Sequence, residues 1–150
     1  MRTKNKKLHI LTIAELDWRN GHEYAIQAMS YLRVAQIDFE YHIVGQGEFL
    51  EAVAFACYEF GLKEHVRLIL DHSNQSVAAE FVWADVFVLA SVASGVKHSL
   101  CEAIEQKIPV IVTDLPNLLI ELHEDCRKVV VPRRNSQLLA EAIIQQAKYV

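Results

Sequence analysis

Short β-branched runs alternate with helical segments along the chain, and this alternation most constrains what it can fold into. The runs lie at residues 8–13, 41–44, 66–70, 85–89, 109–113 and 128–131. Helical patterns separate them, at residues 21–36, 48–60, 74–83, 98–106 and 136–149. Because helices separate successive strands, right-handed crossovers onto a parallel sheet are required. The sequence therefore predicts an α/β fold: a doubly wound, Rossmann-like parallel sheet of about six strands with helices on both faces.

Three helix ends carry recognisable signals. Asn20 and Glu23 are predicted to form a capping box at the start of the first helix, and Gly61 an αL cap at the end of the second. Ser99 and Glu102 have the same capping-box spacing in the helix over residues 98–106. Glu102 thus has a structural role available whatever else it does.

Length and charge exclude several classes of function. A chain of 150 residues suits one domain, and its net charge of -4 argues against a nucleic-acid surface. The basic residues among 1–7 predict a solvated leader or linker, with a short polybasic membrane tether as the alternative. No apolar stretch approaches bilayer length and no signal-peptide pattern follows, which predicts no integral membrane segment and a cytoplasmic location. Three cysteines without C-x-x-C spacing indicate neither a disulfide framework nor a zinc site.

The loops that follow the strands are where a ligand is expected. Doubly wound sheets bind ligands outside the carboxyl ends of their strands, where helix N-termini offer free N–H groups to anions. In this sequence those loops are residues 14–20, 45–47, 71–74, 90–98 and 114–117.

Five stretches in these regions carry a resemblance to a known family. They are NGHEYAIQAM, FEYHIVGQGE, WADVFVLASV, SLCEAIEQKIPVIVTD and VVVPRRNSQLLAEAI. In this order and spacing the chain resembles the C-terminal, donor-binding lobe of retaining glycosyltransferases of the GT-B fold, known as glycosyltransferase group 1 or family four. The resemblance covers residues 8–147, nearly the whole chain.

The resemblance implies a function that needs a second lobe. Residues 8–150 would form a single GT-B lobe that binds a nucleotide sugar, with transfer of a hexose in a cleft against an N-terminal acceptor lobe, as in polysaccharide biosynthesis. The ligand would be a nucleoside diphosphate sugar, with no cofactor and no metal. This chain alone is expected to be impaired or inactive, and no catalytic residue is assigned.

The resemblance also assigns site residues. The family has two glutamates eight positions apart, one near the donor sugar and one on the ribose hydroxyls; here Glu102 occupies the second position and Ser94 the first. A carboxylate suits a vicinal diol, whereas serine cannot stabilise positive charge at an anomeric carbon. The expected donor-binding residues are Arg19, Ser94, Gly95, Val96, Lys97, His98 and Glu102.

The phosphate clamp of the family is degenerate. Its arginine and lysine, in the loop after the first strand, correspond here to Glu15 and Asn20. Arg19 and Lys97 are the nearby cations that could compensate. The glycine pair expected after the strand over 109–113 is replaced by Pro116 and Asn117, and proline cannot reproduce a turn built for glycine.

Structural alternatives remain open for the individual residues. Glu102 could be only a helix cap, Lys97 only a solvated lysine, and Gly45-Gln46-Gly47 a strand-to-helix turn rather than a phosphate cradle. Cys101 and His98 have the spacing of a nucleophile and its base, although a packed thiol is favoured. Residues 123–126 (HEDC) suggest a metal, but a polar loop explains them better. Trp18 could cover the cleft or pack on the first helix.

Three functions follow from these observations. The first is a donor-binding lobe. The second is a catalytically dead, glycosyltransferase-like interaction module. The third is a receiver-like or flavodoxin-like signalling domain, for which Glu15 and Asp71 would have to supply the acidic site.

Overall fold

A computed structural model describes residues 6–93 and 98–150, which form one α/β unit. Its strands are β1 (Leu8–Ile13), β2 (Phe39–Val44), β3 (Val66–Ile69), β4 (Val86–Leu89), β5 (Val110–Thr113) and β6 (Lys128–Val131). Its helices are α1 (His22–Val34), α2 (Leu50–Glu59), α3 (Asn74–Trp83), α4 (His98–Glu105), α5 (Pro116–Leu119) and α6 (Ser136–Ala147). A 3-10 turn, Trp18–Asn20, precedes α1.

All strand pairs are parallel, in the order β3-β2-β1-β4-β5-β6. From β1 the chain therefore adds β2 and β3 on one side of the sheet. It then returns through α3 to β4, on the other side of β1, and adds β5 and β6 there. This confirms the doubly wound, six-stranded sheet. It contradicts the receiver-like alternative, because flavodoxin-like domains have the order 2-1-3-4-5.

Helices cover both faces of the sheet, as predicted. One core lies under α1, α2 and α6 and includes Ile26, Met29 and Ile143. The other lies under α3, α4 and α5 and includes Phe81, Leu100 and Leu118. The strands in the centre are buried on both sides, which is why they are continuous apolar runs in the sequence.

Two predicted capping boxes are wrong, and one predicted helix end is confirmed. The N-cap of α1 is Gly21, which makes no side-chain cap bond. Ser99 lies within α4, and its hydroxyl donates to the backbone oxygen of Ile13 at 2.7 Å. Both polar side chains, those of Asn20 and Ser99, are used in other contacts instead of caps. Gly61 ends α2 with a left-handed φ of 66°.

Candidate functional site

A cleft opens at the carboxyl edge of the sheet, where the first two strands end and α4 begins. It encloses about 580 Å³. The end of β1 contributes Ile13, Ala14 and Glu15, and the end of β2 contributes residues 44–47. His72, His98 and Ser99 complete the lining. This is the edge at which ligands of doubly wound sheets bind.

Two glycines allow the surrounding loops to approach each other at this edge. A Cβ built on Gly45 would lie 2.1 Å from the carbonyl oxygen of Ala14. A Cβ on Gly21 would lie 2.0 Å from the carbonyl oxygen of Ala90, and Gly21 has a left-handed φ of 61°. Neither position accommodates a larger residue unless the backbone moves. The glycine at 45 thus serves close backbone packing, as expected of a strand-to-helix turn.

The 3-10 turn holds Arg19 in a local ion pair. Asp17 caps the turn by accepting from the Arg19 backbone N–H, and its Oδ2 lies 2.8 Å from the guanidinium. The Arg19 hydrogen bond lowers the pKa of Asp17. The positive charge of Arg19 is therefore paired with the carboxylate of Asp17. Both residues line a second cavity of about 550 Å³, together with Glu15, Trp18, Gly47 and Glu48.

Trp18 is 54% exposed in that second cavity. About half of this residue is therefore accessible to solvent, in the loop after β1. Both roles considered for Trp18, covering the cleft and packing on α1, stay predictions.

Asn20 holds the loop after β1 in place. Its side chain is buried, and Nδ2 donates to the backbone oxygen of Glu15 at 2.8 Å. The Nε2 of His22 lies 2.8 Å from the same oxygen and must donate, because a carbonyl only accepts. Burial lowers the pKa of His22, so the ring is neutral. Asn20, which occupies a clamp position, therefore points into the protein.

His22 was not identified from the sequence, and neither was His72. His22 is 2% exposed in the first turn of α1, and His72 lines the cleft from the loop before α3. His22 follows Gly21 directly and precedes the charged Glu23, so the sequence gives no sign that its ring is buried. Nothing in the sequence distinguishes His72 from an ordinary loop histidine.

Glu102 lies in the second turn of α4, next to His98. Its Oε1 lies 3.4 Å from the His98 Nε2, and 41% of its side chain is exposed. His98 itself is 83% exposed and lines the cleft. Glu102 is thus accessible, one helical turn from the cleft wall. The predicted residues Ser94, Gly95, Val96 and Lys97 lie outside the described residues.

Cys101 and His98 do not form a pair. The Cys101 thiol donates to Glu121 Oε2 at 3.3 Å, whereas His98 lies beside Glu102. The packed thiol that the sequence favoured is only half-buried here, and it bonds a carboxylate. Among residues 6–93 and 98–150, no group of His, Cys, Asp or Glu side chains is arranged to hold a metal ion.

The turn after β5 differs from a glycine turn, as the sequence suggests. Pro116 is the first residue of α5, a position where its missing N–H costs nothing. Asp114 accepts from the backbone N–H of Arg133 at 3.2 Å and from its Nε at 2.9 Å. This contact joins the loop after β5 to the loop between β6 and α6.

In the described part of the chain, no helix combines the length and the apolar character that crossing a bilayer needs.

Curated relatives of the chain are polysaccharide glycosyltransferases. The amylovoran biosynthesis glycosyltransferase AmsK of Erwinia amylovora is 24% identical over 147 residues, covering 94% of this chain and 36% of that protein. The putative colanic acid biosynthesis glycosyltransferase WcaL of Escherichia coli is 29% identical over 143 residues, covering 91% and 35%. The chain therefore spans about a third of the length of these relatives.

Solved structures share the fold at low sequence identity. A glycosyltransferase from Rickettsia africae has a TM-score of 0.86 at 18% identity, over 96% of this chain and 38% of that one. The C-terminal domain of the group 1 family protein LpcC from Francisella tularensis has 0.80 at 18% identity, over 94% and 75%. Anabaena HepE, in complex with UDP and glucose, has 0.82 at 14% identity, over 93% and 38%. These similarities identify the fold as that of a GT-B lobe.

The sequence profile of the family described as "Glycosyl transferases group 1" matches residues 2–148. The match includes every strand and all of the last helix. The chain belongs to the group 1 glycosyltransferase family.

Proposed function

We propose that residues 8–150 are the nucleotide-sugar donor-binding lobe of a glycosyltransferase. The observation that carries this proposal is the cleft of about 580 Å³ at the carboxyl ends of β1 and β2, beside the start of α4. A nucleoside diphosphate would lie there, with its base against the apolar strand ends and its phosphates toward α4. The structural similarity to Anabaena HepE, which was solved in complex with UDP and glucose, supports the choice of ligand.

Glu102 would accept hydrogen bonds from the ribose hydroxyls of this ligand. Its carboxylate is accessible and lies beside His98, which lines the cleft. The two oxygens of a carboxylate can accept from the two hydroxyls of a vicinal diol. Ser94, Gly95, Val96, Lys97 and His98 would contact the sugar and phosphates.

Phosphate binding would be weak, because the usual cations are missing or occupied. Glu15 lines the cleft, Asn20 is buried, and Arg19 is paired with Asp17. A carboxylate about 6 Å from a phosphate charge costs about 3 kcal/mol at an effective dielectric of about 20. This loss would reduce affinity roughly a hundredfold.

Sugar transfer would require an acceptor lobe. The chain spans about a third of the length of its curated relatives, which leaves room in those proteins for a second lobe. The isolated 150 residues would bind a nucleoside diphosphate weakly and transfer no sugar.

Calorimetric titration with UDP and GDP tests the donor-binding proposal. Weak, saturable binding to one of them is expected, and Glu102→Ala should weaken it about tenfold by removing the ribose contact. Glu105→Ala is the matched control, since Glu105 is exposed on the same helix, and it should leave affinity unchanged. Equal affinities for all three proteins would exclude the ribose contact.

The second candidate function is a glycosyltransferase-like interaction module without nucleotide binding. The pairing of Arg19 with Asp17 and the burial of Asn20 favour it, because both leave the clamp without a free cation in the loop after β1, which lies wholly within the described residues. The same titration separates the two functions: no heat from either nucleotide at millimolar concentration supports the module.

A further inference from the structure

A polar cluster lies between the sheet and the C-terminal half of α3. At its centre is His42, which is 5% exposed on β2. Its Nδ1 lies 2.6 Å from Glu80 Oε2 on α3, and its Nε2 lies 2.8 Å from Glu40 Oε1 on β2. With the rings of Trp83 and His9, these three residues form what we call the His42 cluster.

Trp83 stacks between two imidazole rings. Its ring centroid lies 3.7 Å from that of His42 with an interplanar angle of 6°, and 4.4 Å from that of His9 with an angle of 12°. The Nδ1 of His9 also lies 3.0 Å from the backbone oxygen of Trp83. Stacked rings thus hold the last turn of α3 against β1 and β2.

The contacts of His42 are complete only when the ring is protonated. Both partners are carboxylates, which accept hydrogen bonds, and only an imidazolium donates from both nitrogens. A neutral ring would present a lone pair to one of the two carboxylates. A positive ring is also attracted to the face of the indole it stacks on.

Other charged groups surround the cluster. The hydrogen bond from His42 lowers the pKa of Glu40, to which the nearby cations add a smaller effect. The groups facing the cluster from neighbouring elements are Lys7 before β1, Arg67 on β3 and Asp85 before β4. Asp85 accepts from the backbone N–H of His9 at 2.8 Å and does not contact His42 directly.

Besides this cluster, α3 packs on the sheet through Phe81 and the half-buried Val77. Of its ten residues, all of them described, only Phe81 is buried. Its other end starts at Asn74, directly after Ser73, which caps the helix, and His72, which lines the cleft. A helix of this length spans about 15 Å, so the cluster lies at one end and the cleft at the other.

We propose that the His42 cluster is a pH-sensitive clamp on α3, closed when His42 is protonated and loosened when the ring loses its proton. Loosening frees α3 and, with it, the His72 segment at the cleft. The clamp does not rest on the proposed nucleotide binding, because it concerns only how α3 is attached to the sheet.

Native-state amide hydrogen exchange of the whole chain tests the clamp. Protection is measured at about pH 6 and about pH 8.5, on either side of the range in which histidines titrate, and corrected for intrinsic exchange rates. The opening constant of α3 should rise at least tenfold more than that of α6 over this interval. An equal change in α3 and α6 would overturn the proposal.

Glu80→Gln is the diagnostic variant. The amide of glutamine can donate to Nδ1 of a neutral ring whose Nε2–H still donates to Glu40, so all contacts are satisfied without the charge. In this variant the opening constant of α3 should rise less than about threefold more than that of α6 between the two pH values. Retention of the full pH effect would contradict the clamp.

Two further proteins complete the test. Glu141→Gln removes an exposed carboxylate from α6 and should behave as the wild type. His42→Gln should open α3 at about pH 6 as far as the wild type does at about pH 8.5. If α3 of His42→Gln remains fully protected at both pH values, the clamp is excluded.

Discussion

The side-chain amide of Asn20 donates to the backbone oxygen of Glu15 across 2.8 Å, and Asn20 is buried. The two residues that stand at the clamp positions therefore have different roles: Asn20 builds the loop, and Glu15 extends its carboxylate to the surface. Only Glu15 can be changed without dismantling the loop after β1.

The first prediction is that Glu15→Arg strengthens nucleoside-diphosphate binding. A repulsive carboxylate becomes a cation, and a charge-assisted contact to phosphate contributes about 1.5–3 kcal/mol. Calorimetry with UDP or GDP should show at least about tenfold tighter binding, with a gain that shrinks as salt is raised. Glu59→Arg, on the exposed surface of α2, controls for net charge. If both variants gain affinity equally, the effect comes from net charge and not from a contact at position 15.

Adding Asn20→Lys to Glu15→Arg should not improve binding further. The lysine amine cannot replace the bond to the Glu15 carbonyl from a buried position, and losing that bond costs about 1–3 kcal/mol. Urea unfolding should show this loss in the double variant. A double variant that is as stable as Glu15→Arg and binds tighter would show that the loop tolerates the change.

His22 makes the protein less stable in mild acid. Burial lowers its pKa in the folded state, so the unfolded chain takes up a proton near pH 6.5 that the folded chain does not. Titration of His22 therefore has no effect on the free energy of unfolding above about pH 6.5. Below that pH, the free energy of unfolding falls by up to about 1.4 kcal/mol per pH unit until the folded-state pKa is reached. Urea unfolding at about pH 7.5 and about pH 5.5 measures it.

The contribution of His22 is isolated with His22→Gln, whose amide can still donate to the Glu15 carbonyl. The difference in free energy of unfolding between the two pH values should be smaller in this variant than in the wild type. His123→Gln, at an exposed position, is the matched control and should leave the difference unchanged. An unchanged difference in His22→Gln would rule out His22 as the source.

Thr12 and Tyr41 should show strong thermodynamic coupling. The Thr12 hydroxyl donates to the Val88 carbonyl at 2.6 Å, so Tyr41, 2.7 Å away, must donate to Thr12. Thr12→Val leaves the buried Tyr41 hydroxyl unpaired and should cost about 1–3 kcal/mol, whereas Tyr41→Phe should cost about 1 kcal/mol. The double variant should lose less than the sum, by at least about 0.5 kcal/mol. Additive losses in urea unfolding would show that the pair is not coupled.

Lys107→Gly should stabilise the protein. Lys107 follows α4 with a left-handed φ of 62°, which costs a residue with a Cβ about 1–2 kcal/mol. The greater freedom of glycine in the unfolded chain offsets part of this, leaving a gain of up to about 1 kcal/mol in thermal or urea unfolding. Lys148→Gly is the control, because Lys148 has a right-handed φ of -72° and the same change should destabilise. A lower free energy of unfolding in both variants would show that the left-handed φ of Lys107 is not the source of a stability cost.

Element positions follow closely from the sequence where the pattern is local. The ranges of α3 and β6 are those predicted, because each is bounded by a clear break in composition. The predicted start of β2 is two residues late, since Phe39 and Glu40 join the ladder only through pairing with β1. The short α5 and the 3-10 turn are single turns with too few residues to show a period.

The polar contacts of Ser99 and His42 could not be predicted, because they join distant parts of the chain. Ser99 has the spacing of a cap, but its hydroxyl contacts Ile13, 86 positions away in the sequence. His42 lies in a β-strand pattern that gives no sign of Glu80 across the interface. Sequence periodicity indicates which face of an element is buried, whereas the partner of a buried polar group depends on how elements are packed.

The strand order has a consequence for how the chain assembles. β1 pairs with β2, its neighbour along the chain, and with β4, which follows only after further helices and strands have intervened. The segment through β3 can form locally, whereas the β1/β4 seam closes a loop of roughly seventy residues, with its correspondingly larger entropic cost. A backbone break in the exposed residues 71–73 would fall between these two halves. Two separately produced fragments could then pair through the free edge of β1 in one and the free edge of β4 in the other.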